Sequence, residues 1–127
     1  MLGRMTDLTV NFIAREPDDS LWRMVLVEEG PWDPQEIESH LRRVQQRLYD
    51  CIDVALDGEF WRLYPSSYGK PLRVQLDGYG LPEAEVREFF ARFSTRALAA
   101  PEYAAALQAN PYVSSIAFDL NLSSAAA

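Results

Sequence analysis

Each stretch of the chain that reads as a β-strand alternates polar and apolar residues, and this alternation limits the possible folds. In residues 71–78, leucine or valine at every second position is interleaved with Arg73, Gln75 and Asp77. Residues 8–14, 21–28 and 112–122 alternate in the same way. Strands covered on both sides read as continuous apolar runs, so the alternation predicts a sheet with one buried and one wet side.

The segments between these strands carry turn and helix signals. Residues 16–20, rich in Pro, Asp and Ser, predict a turn that joins the first two strands as an antiparallel hairpin. Asp33, Pro34 and Glu36 then suit the cap, first position and capping box of a long helix that Gly58 ends. Its apolar positions follow a period of about 3.6 residues: Ile37, Leu41, Val44, Leu48, Ile52 and Ala55.

Two proline residues mark the helical segments in the second half of the chain. Pro82 predicts a helix with a phenylalanine-rich stripe, and Pro101 predicts a further short helix. Residues 59–70 are predicted to be an irregular, aromatic connector because Pro65 and Gly69 interrupt them.

The predicted order of elements is therefore ββαβαβ, an α+β fold. Right-handed crossovers between parallel strands favour a four-stranded mixed sheet with the helices packed on one face. The length of 127 residues suits a single domain over residues 1–127. We expect a core from about residue 6 to residue 122, with loose termini at residues 1–5 and 123–127.

The charge and cysteine content exclude some classes of function. A formal net charge of −7 disfavours nucleic acid as a partner, since phosphate binding needs a basic surface. The single cysteine, Cys51, allows no intrachain disulfide and suits a reducing compartment, so we expect a cytoplasmic protein. The sequence has no apolar run of about 18 residues and no secretory signal pattern at its start, so no membrane partner is expected.

The sequence also lacks the usual combinations of catalytic residues. It has one histidine, His40, no Gly-x-Ser-x-Gly motif and no phosphate-binding glycine loop. We therefore predict no catalytic residue, no metal site and no cofactor. His40 is expected on the helix surface, Cys51 as a small buried hydrophobic residue, and Glu28 and Glu29 in a solvated loop.

Two groups of residues are candidates for a binding surface. The first lies on the outward positions of the strands, where Arg23, Arg73, Gln75, Asp77 and Asp119 can form either simple cross-strand ion pairs or a charged binding patch.

The second candidate is aromatic. A groove built from Trp32, Trp61, Tyr64 and Tyr68 and edged by Lys70 would suit a ligand or a protein, although most such rings belong to cores.

Several short motifs resemble those of a family of small uncharacterised bacterial proteins. They are Trp32-Asp33, Gly58-Glu59-Phe60, Tyr64-Pro65 and the stretch from Gly69-Lys70-Pro71 to Asp77. The resemblance spans about residues 8–122. It implies a bacterial cytoplasmic domain of unknown function and assigns no catalytic residue.

Three functions remain open on this evidence. We favour a non-enzymatic binding or protein-interaction module that self-associates, as a homodimer, through the wet sheet face or a strand edge. The second alternative is a small-molecule binder or sensor that uses the aromatic groove. The third is a small enzyme that uses carboxylates such as Asp77 and Asp119.

Overall fold

The computed structural model describes residues 12–18 and 20–123 of the chain. This part contains four strands: β1 (Phe12–Arg15), β2 (Trp22–Glu29), β3 (Lys70–Tyr79) and β4 (Val113–Ser123). It also contains four α-helices: α1 (Ile37–Leu56), α2 (Glu59–Leu63), α3 (Glu83–Arg96) and α4 (Pro101–Ala109). Short 3-10 turns occupy Pro34–Glu36, Pro65–Ser67 and Ala97–Ala99.

The strands form one mixed sheet in the order β1-β2-β3-β4. β1 and β2 pair antiparallel, whereas β2 with β3 and β3 with β4 pair parallel. Neighbours in the sheet are thus also neighbours along the chain, and each parallel pair is joined by a helical crossover. The predicted ββαβαβ order and the four-stranded mixed sheet are confirmed.

The core lies between the sheet and the helices. Leu72, Val74 and Leu76 of β3 are at most 1% exposed, and Met24 and Leu26 of β2 are fully buried. The helices meet these rows with their own apolar residues, which include Val44, Leu48, Ile52, Phe90 and Phe93. The opposite rows of β2 and β3 remain partly exposed at Arg23, Val27, Arg73, Gln75 and Asp77.

The entry to the first helix differs slightly from the prediction. Asp33 does act as a cap, because its Oδ1 accepts a hydrogen bond from the Gln35 N–H at 2.9 Å. Pro34 has no N–H to donate, so Gln35 offers the first donor that Asp33 meets. The cap closes the 3-10 turn Pro34–Glu36, and α1 begins only at Ile37.

The predicted irregular connector contains regular structure. α2 spans Glu59–Leu63, followed by the 3-10 turn Pro65–Ser67. Phe60 is fully buried and meets Trp22 edge-on with the ring centroids 5.9 Å apart. Burial of this ring stabilises a helical turn that local propensity alone does not predict.

Some of the predictions concern residues at or beyond the ends of the described chain. The predicted first strand is observed from Phe12 to Arg15, and its earlier part lies outside the described residues. Of the predicted loose termini, residues 1–5 and 123–127, all but Ser123 also lie outside the described residues. The prediction is wrong at Ser123, which is the last residue of β4. None of the helices within residues 12–18 and 20–123 combines the length and apolar character that crossing a membrane requires.

Gly58 is the glycine whose replacement most directly tests the link between α1 and α2. Its φ is 89°, and a Cβ there would lie 2.9 Å from Cζ of the Tyr112 ring. We expect Gly58→Ala to lower the free energy of unfolding by about 1–3 kcal/mol, measured by urea denaturation.

Gly69→Ala is the matched control for this substitution. Gly69 also has a positive φ, 71°, but a Cβ there meets no atom within 4 Å. Backbone strain alone should cost about 1 kcal/mol at Gly69. Equal losses in the two variants would contradict a role for the Tyr112 contact.

The thiol of Cys51 titrates differently in the folded and unfolded states. Cys51 is fully buried on α1, as predicted, and this burial raises the pKa of its thiol from 9.0 to about 12. The folded state therefore holds the thiol proton at pH values where the unfolded chain releases it. The resulting stabilisation is complete below pH 9.0 and is lost as the pH rises towards 12.

We expect Cys51→Ala to reduce this loss. Urea denaturation should be measured for both proteins at several pH values between 8 and 11, a window that brackets the unfolded-state pKa of 9.0. The wild type should lose more stability than the variant over this window, because only the wild type carries the thiol. Parallel pH profiles would contradict the raised pKa.

Candidate functional site

The side of the sheet that faces away from the helices carries an ordered set of polar residues. Strand register places Arg23 beside Arg73, and Gln75 beside Asp119. One step further along the strands, Asp77 lies beside Asn121. Alternation sends all of these side chains outward, so the predicted charged patch is assembled on the outer face of β2, β3 and β4.

Asp119 is the centre of this patch. Its Oδ2 accepts a hydrogen bond from Arg23 Nη1 at 2.9 Å, and its Oδ1 accepts one from Arg73 Nη1 at 2.8 Å. The two arginines belong to β2 and β3, whereas Asp119 belongs to β4. One carboxylate therefore ties three strands together, with its side chain 30% exposed.

The remaining members extend the network along β3. Arg23 Nη1 also contacts Gln75 Oε1 at 3.3 Å, and Gln75 Nε2 donates to Asp77 Oδ1 at 3.0 Å. Asn121 Nδ2 donates to the same Asp77 oxygen at 3.2 Å. We call these six residues, Arg23, Arg73, Gln75, Asp77, Asp119 and Asn121, the outer-face network.

The outer-face network is balanced in charge and already hydrogen-bonded. It contains two arginines and two aspartates, and both oxygens of Asp119 accept hydrogen bonds from guanidinium groups. Such an arrangement fixes donors and acceptors in defined positions and keeps part of each side chain open to water. It suits recognition of another polar surface better than proton abstraction.

The aromatic residues of the predicted groove are only partly brought together. Trp61 and Tyr68 lie 5.6 Å apart between ring centroids. Tyr112 joins them: it stacks on Trp61 at 5.6 Å and meets Tyr68 edge-on at 6.5 Å. The three rings thus pack against one another.

The other members of that predicted groove lie elsewhere. Tyr64 packs against Phe60 and Trp22, with centroid separations of 5.1 and 5.6 Å. Trp32 follows the carboxyl end of β2, whereas Tyr68 and Lys70 stand at the amino end of the parallel strand β3. Trp32 therefore lies at the opposite end of the sheet, and the five residues do not line one groove.

The sequence does not predict that Tyr112 belongs to this aromatic cluster, because it does not give the register between strands. Tyr112 directly precedes β4, and the parallel pairing of Val113 with Lys70 brings it beside Tyr68. The Gly69 N–H donates to the Tyr112 carbonyl oxygen at 2.8 Å, which fixes this approach.

Glu28 corrects the prediction of a solvated loop at the end of β2. Its side chain is only 4% exposed and lies on the inner side of the sheet. Glu28 Oε2 accepts from Arg43 Nη1 at 2.6 Å and from Arg47 Nη1 at 2.5 Å. Strand alternation carries Glu28 inward, and the two arginines of α1 supply the opposite charge that a buried carboxylate needs.

His40 and Trp32 extend this buried ion cluster towards the surface. Arg43 Nη2 lies 2.9 Å from His40 Nδ1. Because a guanidinium group can only donate, Nδ1 accepts and the ring hydrogen resides on Nε2. The imidazole stacks on Trp32 with centroids 4.8 Å apart, so His40 lies on the helix surface as predicted but in a fixed orientation.

The ion cluster of Glu28, Arg43 and Arg47, called the Glu28 cluster below, has a recognisable pattern in the sequence. Glu28 shares the period-2 phase of Met24 and Leu26, and Arg43 and Arg47 are spaced by four residues beside the buried stripe of α1. A carboxylate in phase with a buried strand row, together with an arginine pair on the covering helix, predicts a buried ion cluster.

A shallow groove of about 640 Å³ separates α1 from α3. Its apolar floor is formed by Ile37, Leu41 and Phe89, and its rim includes Glu38 and Arg92. Glu38 is paired with Arg42 across one helical turn, and Arg92 with Glu88. The rim thus offers no excess of either charge.

Neither a metal site within the described residues nor a match to a known protein assigns a role to these surfaces. Within the described ranges, no group of three or more His, Cys, Asp or Glu side chains is arranged to hold a metal ion. Comparison with known protein families, with curated proteins and with solved structures finds no match for this chain.

Replacing Glu28 tests whether a buried carboxylate contributes more to stability than an exposed one. We expect Glu28→Gln to lower the free energy of unfolding by about 3 kcal/mol, because it leaves two guanidinium groups without their buried counter-charge. The measurement is urea denaturation at neutral pH.

Glu38→Gln is the control, since it removes an ion pair of the same chemistry whose carboxylate is 82% exposed. Exposed pairs contribute less than about 1 kcal/mol. If the two variants lost equal stability, the structural role of Glu28 would be refuted.

Proposed function

We propose that this chain is a non-enzymatic protein-interaction module whose binding surface is the outer side of its sheet. The observation that carries the proposal is the position of the outer-face network. Helices pack on one side of the sheet, and on the other side Arg23, Arg73 and Asp119 hold one another across three strands. Rigid, half-exposed polar groups form recognition surfaces with little loss of side-chain freedom on binding.

The composition of that surface fits a protein partner. Val27 and Ala117 lie on the same side as the network and are partly exposed, so apolar and polar groups alternate over a broad area. Protein interfaces combine apolar contact with arginine and a polar rim in this way. The net charge of −7 favours a partner with a basic surface, and it opposes binding to nucleic acid.

Small-molecule binding has less support. The aromatic rings that suggested it, Trp61, Tyr68 and Tyr112, pack against one another, and Trp32 is at the other end of the sheet. Tyr68 is nevertheless 49% exposed, so this cluster can contribute to a protein contact at its edge.

Catalysis by the outward carboxylates also has less support. A general base needs an oxygen that can reach a substrate proton. Both oxygens of Asp119 already accept from arginines, and Asp77 Oδ1 accepts from Gln75 and Asn121.

A cytoplasmic location in a bacterium completes the proposal. A lone, buried thiol at Cys51 suits a reducing compartment. The short Trp32-Asp33 and Gly69-Lys70-Pro71 motifs support membership of the uncharacterised bacterial family that the sequence resembles.

Site-specific photo-crosslinking tests the binding surface. Tyr79 ends the outward row of β3 and is 38% exposed. We expect a benzoylphenylalanine in place of Tyr79, a ring of similar shape, to form a defined protein adduct in cells. The adduct is identified by mass spectrometry.

Gln46 provides the matched control on the helical side, because it is exposed on the solvent face of α1. A probe there should form no specific adduct. Adducts of equal yield from both positions, or from Gln46 alone, would show that the outer side of the sheet is not the binding surface.

A further inference from the structure

Within residues 12–18 and 20–123, no strand pairs with one edge of the last strand of the sheet. Among the described residues, β4 pairs as a strand only with β3. It is 11 residues long, and its sequence VSSIAFDLNLS contains no proline, lysine or arginine. Natural edge strands are usually shortened, bulged or protected by such residues, because unpaired backbone groups attract other strands. The one irregularity of β4 lies at its beginning, between Val113 and Ser115.

The inner row of this strand is incompletely covered. Phe118, Leu120 and Leu122 of β4 are partly exposed, although they belong to the same layer as the sealed residues of β3. Leu72 and Leu76 of β3, by comparison, are each 1% exposed. The helices therefore cover the middle of the sheet fully and its β4 edge only in part. An additional strand beside β4 would shield this apolar row.

The charge distribution allows a second copy of this acidic chain to approach the β4 edge. The chain carries a net charge of −7, which opposes self-association in general. Asp119 is the one charged residue of β4, and Arg23 and Arg73 already neutralise it. Approach along this edge therefore meets less repulsion than approach to the acidic remainder of the surface.

We propose that β4 pairs antiparallel with β4 of a second copy of this chain, forming a continuous eight-stranded sheet. The inference goes beyond the proposed function, because the edge of β4 is a different surface from the outer side of the sheet. A strand edge is self-complementary about a two-fold axis, since the same row of donors and acceptors faces itself.

The side chains select the register of this pairing. A shift by one residue would place the inner row of one copy opposite the outer row of the other, so only every second register is open. A two-fold axis at Asp119 would set two like charges directly opposite each other, which is unfavourable. An axis at Phe118, the middle residue of Val113–Ser123, pairs the whole length of the strand. It also avoids this contact, because Asp119 then faces Ala117 of the partner subunit.

A two-fold axis at Phe118 also determines which other residues of the two copies face each other. Ile116 faces Leu120 of the partner subunit, which joins the two apolar rows. Ser115 faces Asn121 of the partner subunit on the outer side, and both residues are exposed in the single chain. Ser115 lies outside the outer-face network, whereas Asn121 donates a hydrogen bond to Asp77. The two variants below share the change at Asn121, so the loss of that hydrogen bond is common to both.

Two double variants test the proposal. Ser115→Lys with Asn121→Lys places like charges opposite each other twice per dimer, and we expect the dissociation constant of the dimer to rise by about tenfold or more. Ser115→Glu with Asn121→Lys places opposite charges there, and the dissociation constant should stay within about threefold of wild type or fall. Sedimentation equilibrium provides the dissociation constants, and circular dichroism confirms that both variants are folded.

The outcomes separate this inference from the proposed function. A wild type that stays at the single-chain mass of 14.4 kDa at every concentration overturns the β4 pairing. Equal weakening by both double variants overturns the register about Phe118. In either case a specific adduct from the Tyr79 probe would still support the outer-face module, whereas loss of that adduct together with a monomeric wild type would overturn both.

Discussion

The two parallel crossovers are the constraint on which the rest of this structure depends. One crossover joins β2 to β3 and the other joins β3 to β4, and each pair consists of neighbouring strands. Because both connections have the same hand and run in the same direction across the sheet, their helices cover the same side. No helix of the described chain is left for the opposite side. The polar groups there must be satisfied by one another, by water or by a second protein.

Two carboxylates show how the inner and outer sides of the sheet differ in the way they hold a charged group. Glu28 and Asp119 each accept hydrogen bonds from two arginines, but Glu28 is 4% exposed and Asp119 is 30% exposed. Inside, losing both arginine partners would leave the Glu28 carboxylate unpaired away from water, so the cluster acts as a fixed structural element. Outside, water can replace a partner at small cost. The outer-face network can therefore exchange its internal hydrogen bonds for bonds to another molecule.

The sequence was sufficient for the features that depend on periodicity. Alternation in residues 71–78 predicted the exposure of Arg73, Gln75 and Asp77, and the 3.6-residue spacing from Val44 to Ile52 predicted the buried side of α1. Features that depend on register or on tertiary burial were not predictable in the same way. Tyr112 reaches Trp61 only through the pairing of β3 with β4. Likewise, α2 forms where Phe60 enters the core, although the local sequence favours a loop.

Asp119 connects the outer side of the sheet with its free edge. It belongs to the edge strand, yet its hydrogen-bond partners lie on β2 and β3, so its charge is neutralised from the interior of the sheet. A protein that bound the outer face by competing for Arg23 or Arg73 would release this carboxylate. In the paired sheet, the two copies of Asp119 would then lie diagonally across the two-fold axis at Phe118 as unneutralised like charges. Binding to the outer face and pairing through β4 should therefore oppose each other, which is negative coupling between two sites of one sheet.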